Sequence, residues 1–85
     1  MANRIIVGIQ VTNRVKNVAR VQEVLTEYGC FIKTRLGLHD VDAASCSPNG
    51  LMLLETFGDE AKIAEMQAKL KAIAGLQLQT MTFAA

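Results

Sequence analysis

The chain repeats itself. Val18, Val21, Leu25 and Tyr28 stand at i, i+3, i+7 and i+10, and Ile63, Met66, Leu70 and Ile73 stand at the same spacing 45 residues further on. Each set is the apolar stripe of an amphipathic helix, with Lys16, Arg20, Glu23 and Glu27 on the opposite face of the first. Gly29 and Gly75 follow the two stripes and are placed to end each helix in the left-handed conformation that glycine adopts cheaply. A strand-like segment lies on either side of each helix. Two strand–helix–strand halves in tandem predict the α+β, ferredoxin-like β-α-β-β-α-β sandwich, a four-stranded antiparallel sheet with two helices on one face. A doubly wound parallel sheet would need a helix between the second and third strands. The segment there has no helical period and contains Pro48.

The strands follow from period two. Ile5, Val7, Ile9 and Val11 alternate with Ile6, Gly8, Gln10 and Thr12, which predicts a first strand with its odd positions toward the helices. Thr12 or Asn13 then caps the first helix. Cys30–Leu36 is the second strand, with Phe31, Lys33 and Arg35 in one phase and Cys30, Ile32 and Leu36 in the other. Leu51–Phe57 is apolar on both faces and predicts a central strand. Asp59 is a good N-cap for the second helix, where Glu65 and Lys69 make a favourable i, i+4 pair. Leu76–Phe83 is the fourth strand, with Leu76 and Leu78 on one face and Met81 and Phe83 on the other.

In this architecture the second sheet face meets water unless something covers it. Its expected residues are apolar for the most part: Ile6, one set from the central strand (Leu51 and Leu53, or Met52 and Leu54), and Phe31, which shares its phase with Lys33 and Arg35. A patch of that kind marks an interface. The expected partner is the chain itself, as a homodimer or homotetramer formed through the sheet, by packing of sheet faces or by edge pairing that extends the sheet.

Size and charge narrow the function. Eighty-five residues make one domain, spanning 1–85. A net charge of +1, from nine basic and eight acidic residues, gives no footprint for direct nucleic-acid contact and no basic face for a membrane. The N-terminal segment lacks the apolar core of a signal peptide, and no apolar stretch approaches the length of a membrane span. A cytoplasmic location is expected. Two cysteines do not make a disulfide framework, and Cys30, inside a strand, is expected to be a small buried hydrophobe.

The unusual residues gather in Gly37–Gly50, which holds the only histidine, the only proline, Cys46, Asp40 and Asp42. It is expected to be a long loop joining two strands that a two- to five-residue turn would serve, and loops beyond about 12 residues in compact domains tend to be functional. Its polar residues, His39, Asp40, Asp42 and Cys46, with Arg35 beside it, are the candidate ligand-binding set. Arg35 and Lys33 would receive an anionic ligand from the open sheet face. Imidazole and thiolate suit nickel or zinc, so His39 and Cys46 define an alternative metal-sensing reading, with the site completed across a subunit interface. No phosphate-binding glycine loop, metalloprotease helix or carboxylate pair is present, and His39 and Cys46 are too far apart in sequence to fix a nucleophile against its base. A binding module is expected rather than an enzyme, and no cofactor is specified.

The run Tyr28-Gly29-Cys30-Phe31-Ile32-Lys33-Thr34-Arg35-Leu36-Gly37-Leu38, after a strand of the Arg4–Ile9 type, resembles the iron-only hydrogenase system regulators, which are small stand-alone ACT-like proteins. The likeness covers nearly the whole chain and extends in fold to the nickel-binding C-terminal domain of the nickel-responsive repressor, which oligomerises through its sheets. It implies an ACT-like domain with a regulatory role, acting as an oligomer and through a partner regulatory protein. The repressor's histidine-rich metal motif is not reproduced. The glycine that amino-acid-binding ACT domains carry after the first strand is replaced by Thr12-Asn13-Arg14-Val15-Lys16.

Overall fold

The computed structural model describes residues 3–11, 18–41 and 46–85, with side chains described for 3–11, 19–37 and 50–85. The elements run β1 (Arg4–Val11), α1 (Val18–Glu27), β2 (Ile32–Val41), β3 (Cys46–Thr56), α2 (Glu60–Lys71) and β4 (Leu76–Phe83). The four strands form one antiparallel sheet in the order β2-β3-β1-β4. Both β-α-β crossovers therefore skip a strand, and the two halves interleave. The fold is ferredoxin-like, as the repeat requires.

The alternation of β1 decides which face is inside. Ile5, Val7 and Ile9 are buried, with Leu54 and Thr56 of β3 beside them. Val21, Val24 and Leu25 of α1 and Tyr28 just beyond it close over them, as do Ile63, Met66 and Leu70 of α2 and Ile73 just beyond it. They include every member of the two repeated stripes whose side chain is described, with Val24 added to the first. The one buried polar side chain among the described residues, Thr56, donates its hydroxyl to the Ile5 carbonyl at 2.8 Å, so burial leaves it no unmet hydrogen bond.

Helix α2 starts where Asp59 accepts from the Ala61 N–H at 2.9 Å. Gly58 before it and Gly75 after α2 have φ of 92° and 84°, the region that side chains avoid. The first half departs from its expected copy. Gly29 does not adopt a positive φ; the chain continues from α1 into a 3-10 turn at Gly29–Phe31, closed by the Phe31 N–H on the Tyr28 carbonyl at 2.9 Å. Strand β2 therefore begins at Ile32, and Cys30 lies in the turn, exposed, rather than buried in a strand. The cap expected at Thr12 or Asn13 lies outside the described residues.

The largest correction concerns the segment 37–50. Positions 37–41 continue β2 and positions 46–50 begin β3, paired as Gly37↔Met52, Leu38↔Leu51, His39↔Gly50 and Val41↔Cys46. Residues 42–45 lie outside the described residues. Among the described residues the last β1–β3 pair is Val11↔Gly50, and the β2–β3 pair runs on beyond it to Val41↔Cys46 as a two-stranded ribbon. Pro48 falls where a strand admits proline. It sits in the stretch with a register shift between His39 and Val41, where the ladder is irregular. Gly37 and Gly50, the ends of the expected loop, are paired strand positions.

Candidate functional site

Two features of the sheet can recruit a partner: its uncovered face and the ribbon. Outward positions follow from register. Arg4, Ile6, Gly8 and Gln10 of β1 align with Glu55, Leu53 and Leu51 of β3. They align equally with Phe83, Met81, Gln79 and Gln77 of β4, and Thr34 and Leu36 of β2 complete the row. Leu36, Leu51, Met81 and Phe83 are 50, 40, 54 and 54 % exposed, which are large values for side chains of this kind on a sheet.

Charge on this face is confined to one end. Arg4 Nε lies 3.8 Å from the Glu55 carboxylate, which also accepts from the Thr34 hydroxyl at 3.1 Å. Between that polar strip and the ribbon the register places Ile6, Gly8, Gln10, Leu36, Leu51, Leu53, Gln77, Gln79 and Met81, none of them charged. Their centre is concave. Ile6, Gly8, Gln10, Leu51, Leu53, Gln77, Gln79 and Met81 line a hollow of about 300 Å³ over Gly8.

The candidate ligand residues scatter. Arg35 is exposed, but it pairs with the buried Leu54 and its Nη2 donates to Gln22 Oε1 of α1 at 2.8 Å. It belongs to the helix side of β2, not to the open face. A register shift between Ile32 and Thr34 absorbs one residue, and a slip of one residue exchanges the two faces of a strand. The same shift turns Leu36 outward, against the expected phase. Lys33 is exposed at the irregularity itself. His39 and Cys46 stand on opposite arms of the ribbon, in the neighbouring pairs His39↔Gly50 and Val41↔Cys46. Their side chains and that of Asp40 lie outside the described ones, and Asp42 lies outside the described residues altogether. Among the described residues no group of three His, Cys, Asp or Glu side chains is placed to hold a metal.

On the helix layer the expected Glu65–Lys69 pair does not form. Lys69 Nζ instead meets the Glu27 carboxylate of α1 at 2.6 Å and lies 5.0 Å from the centre of the Tyr28 ring. Glu65 accepts from the Tyr28 hydroxyl at 3.3 Å and pairs with Lys62 at 3.5 Å. The hydrogen bond from Lys69 holds the Glu27 carboxyl below the usual glutamate range, and the same bond holds the Lys69 ammonium above the usual lysine range. This clasp joins α1 to α2 across 42 residues of sequence, so no local spacing reports it.

Solved structures share this geometry. An uncharacterized protein from Thermotoga maritima matches with a TM-score of 0.78 and 25 % identity, over 98 % of this chain and 100 % of that one. The ferredoxin-like plan is thus common to both. A PII-like nitrogen regulatory protein from Thiomonas intermedia K12, bound to ADP, AMP and bicarbonate, matches at a TM-score of 0.51 and 9 % identity, over 99 % of this chain and 96 % of that one. A formyltetrahydrofolate deformylase from Pseudomonas putida KT2440 matches at 0.53 and 15 % identity, over 96 % of this chain but only 29 % of that one. The last two likenesses are of fold alone. No protein-family model and no curated protein matches the chain. No described helix is long and apolar enough to cross a membrane.

Proposed function

We propose that the chain is a small regulatory binding module that works in the cytoplasm as a homo-oligomer, associated through the open sheet face and presenting the β2–β3 ribbon to a ligand or to a partner regulatory protein. One observation carries the reading. A sheet face running from Leu36 across Leu51 and Leu53 to Met81 has no charge between its Arg4–Glu55 end and the ribbon, in a chain one-fifth charged. Depletion of charge at the centre of an apolar patch is the compositional mark of an interface core. The resemblance to iron-only hydrogenase system regulators is in keeping with a regulatory binding role, and the fold is one that a PII-like regulatory protein also uses.

Size-exclusion chromatography with light scattering tests the assembly: the expected mass at micromolar concentration is a multiple of 9.2 kDa. A particle of 9.2 kDa would end the reading. The ligand is sought by thermal shift, because a molecule that binds only the native chain raises its apparent stability by mass action. Adenine nucleotides and bicarbonate head the panel on the strength of the PII-like neighbour, followed by amino acids. Nickel and zinc belong to the same panel, since His39 and Cys46 stand on facing arms of one ribbon. A metal-dependent shift that His39→Ala abolishes would replace the leading reading with the metal-sensing one.

A further inference from the structure

Gly8 sits in the middle of β1, an interior strand, where glycine forfeits side-chain packing and costs chain entropy. None of the usual internal reasons for a strand glycine holds there. Its φ is not positive. The register runs unbroken through it on both flanks, Gly8↔Leu53 and Gly8↔Gln79, so it makes no bulge. A Cβ built on it would approach nothing closer than 3.7 Å, at the Gln79 carbonyl and Leu53 Cδ2, which is ordinary contact. The chain's own packing has room for a side chain at Gly8 and does not use it. The remaining physical reason for such a glycine is the close approach of something from outside.

We propose that the hollow over Gly8 is a socket for an apolar side chain from the open face of a second copy of this chain, so that Gly8 sets how closely the two sheets approach. This rests on the self-association proposed above and says where the contact is made. Three observations choose a second copy as the occupant. Among the described residues the charges at register positions of the face, Arg4 and Glu55, are of opposite sign and already paired, so this part of two copies meets without like-charge repulsion. Four strands about 4.8 Å apart and eight residues long give a flat footprint of about 500 Å². Two such faces bury about 1,000 Å² in all, the lower bound for a specific interface. A small molecule filling 300 Å³ over Gly8 would leave Leu36 and Phe83 uncovered, whereas a second face covers them and supplies the projecting side chains the hollow needs. In an isologous contact each copy gives a side chain and receives one, so the contact occurs twice.

The test compares the full-length wild type, Gly8→Val and Leu36→Lys by light scattering over a dilution series, with thermal unfolding of each at the lowest concentration. Gly8→Val is expected to fold at least as stably as the wild-type monomer and to dissociate at roughly 10- to 100-fold higher concentration, the range that overpacking a filled contact implies. Leu36→Lys is expected to dissociate as well, by setting like charges against each other. A monomeric wild type would overturn both this inference and the reading beneath it. A wild-type oligomer that Leu36→Lys breaks and Gly8→Val leaves intact would overturn the socket alone. An oligomer indifferent to both changes would place association elsewhere and overturn the socket too. Failure of Gly8→Val to fold would contradict the internal room on which the inference stands.

Discussion

Leu54 shows what a single residue contributes here. It is fully buried on the central strand between both helices, so Leu54→Ala removes apolar surface and leaves a cavity. The expected loss is about 2–5 kcal/mol in chemical denaturation, a large part of what a chain of this size has. Gly58 is sensitive for a different reason. Its φ of 92° is strained for any side chain, and a Cβ there would lie 3.4 Å from the Phe31 ring. Gly58→Ala is expected to lower stability by about 1–2 kcal/mol, measured in the same way, whereas Gly29→Ala, which has open space and no positive φ, is expected to be nearly silent. At this scale the sequence was partly legible. Asp59 and Gly75 announce themselves because a cap and a left-handed terminus admit few residue types. Arg35 could not be placed from its spacing, because one absorbed residue at Lys33 reverses the phase of everything after it.

Among the elements, the helices were legible and the strand ends were not. A stripe at helical spacing needs only local sequence, and the two stripes reinforce each other by recurring. The ribbon was hidden by its own composition: Pro48 and Asn49-Gly50 carry the local chemistry of a turn. They lie in β3 between two pairs with β2, His39↔Gly50 and Val41↔Cys46, in a register that no local rule encodes. The clasp between α1 and α2 has a pH signature of its own. Because Glu27 is held below its ordinary range by Lys69, its contribution is present above that range and is lost as the pH falls through the lowered value. The deficit of Glu27→Gln relative to wild type should therefore be visible in urea unfolding at neutral pH, fade in acid and shrink in high salt. At the alkaline end the raised Lys69 ammonium sets the limit, and the contribution disappears as the pH rises through it. Asp59→Ala should cost α2 about 1 kcal/mol by loss of its cap.

For the whole molecule, one sheet face and one ribbon remain once the core is formed, and the two are continuous. Leu36 and Leu51 lie on the open face, and the register carries the same strands directly into positions 37–41 and 46–50. Whatever covers the face is therefore brought next to the ribbon. Met81→Lys, on the strand farthest from the ribbon, should convert the oligomer to a 9.2 kDa particle with an unchanged far-ultraviolet circular dichroism spectrum. An exposed position on the helix layer, such as Lys62→Glu, should leave the mass unaltered. Period and phase made the open face legible in sequence. Its concave centre was not, since it arises from one residue's missing side chain seen against two neighbouring strands.

The strand order has a consequence for how the chain is made. β1 lies between β3 and β4, and its register with β4 runs from Arg4↔Phe83 to Val11↔Leu76. During synthesis β1 emerges first, while the segment that closes its second flank emerges after every other element. Until residues 76–83 have left the ribosome, one whole edge of β1 offers open backbone donors and acceptors to any nascent neighbour. The eight-residue β4 is the cover that ends this exposure, because its pairing takes up the edge of β1 on which another strand could otherwise add.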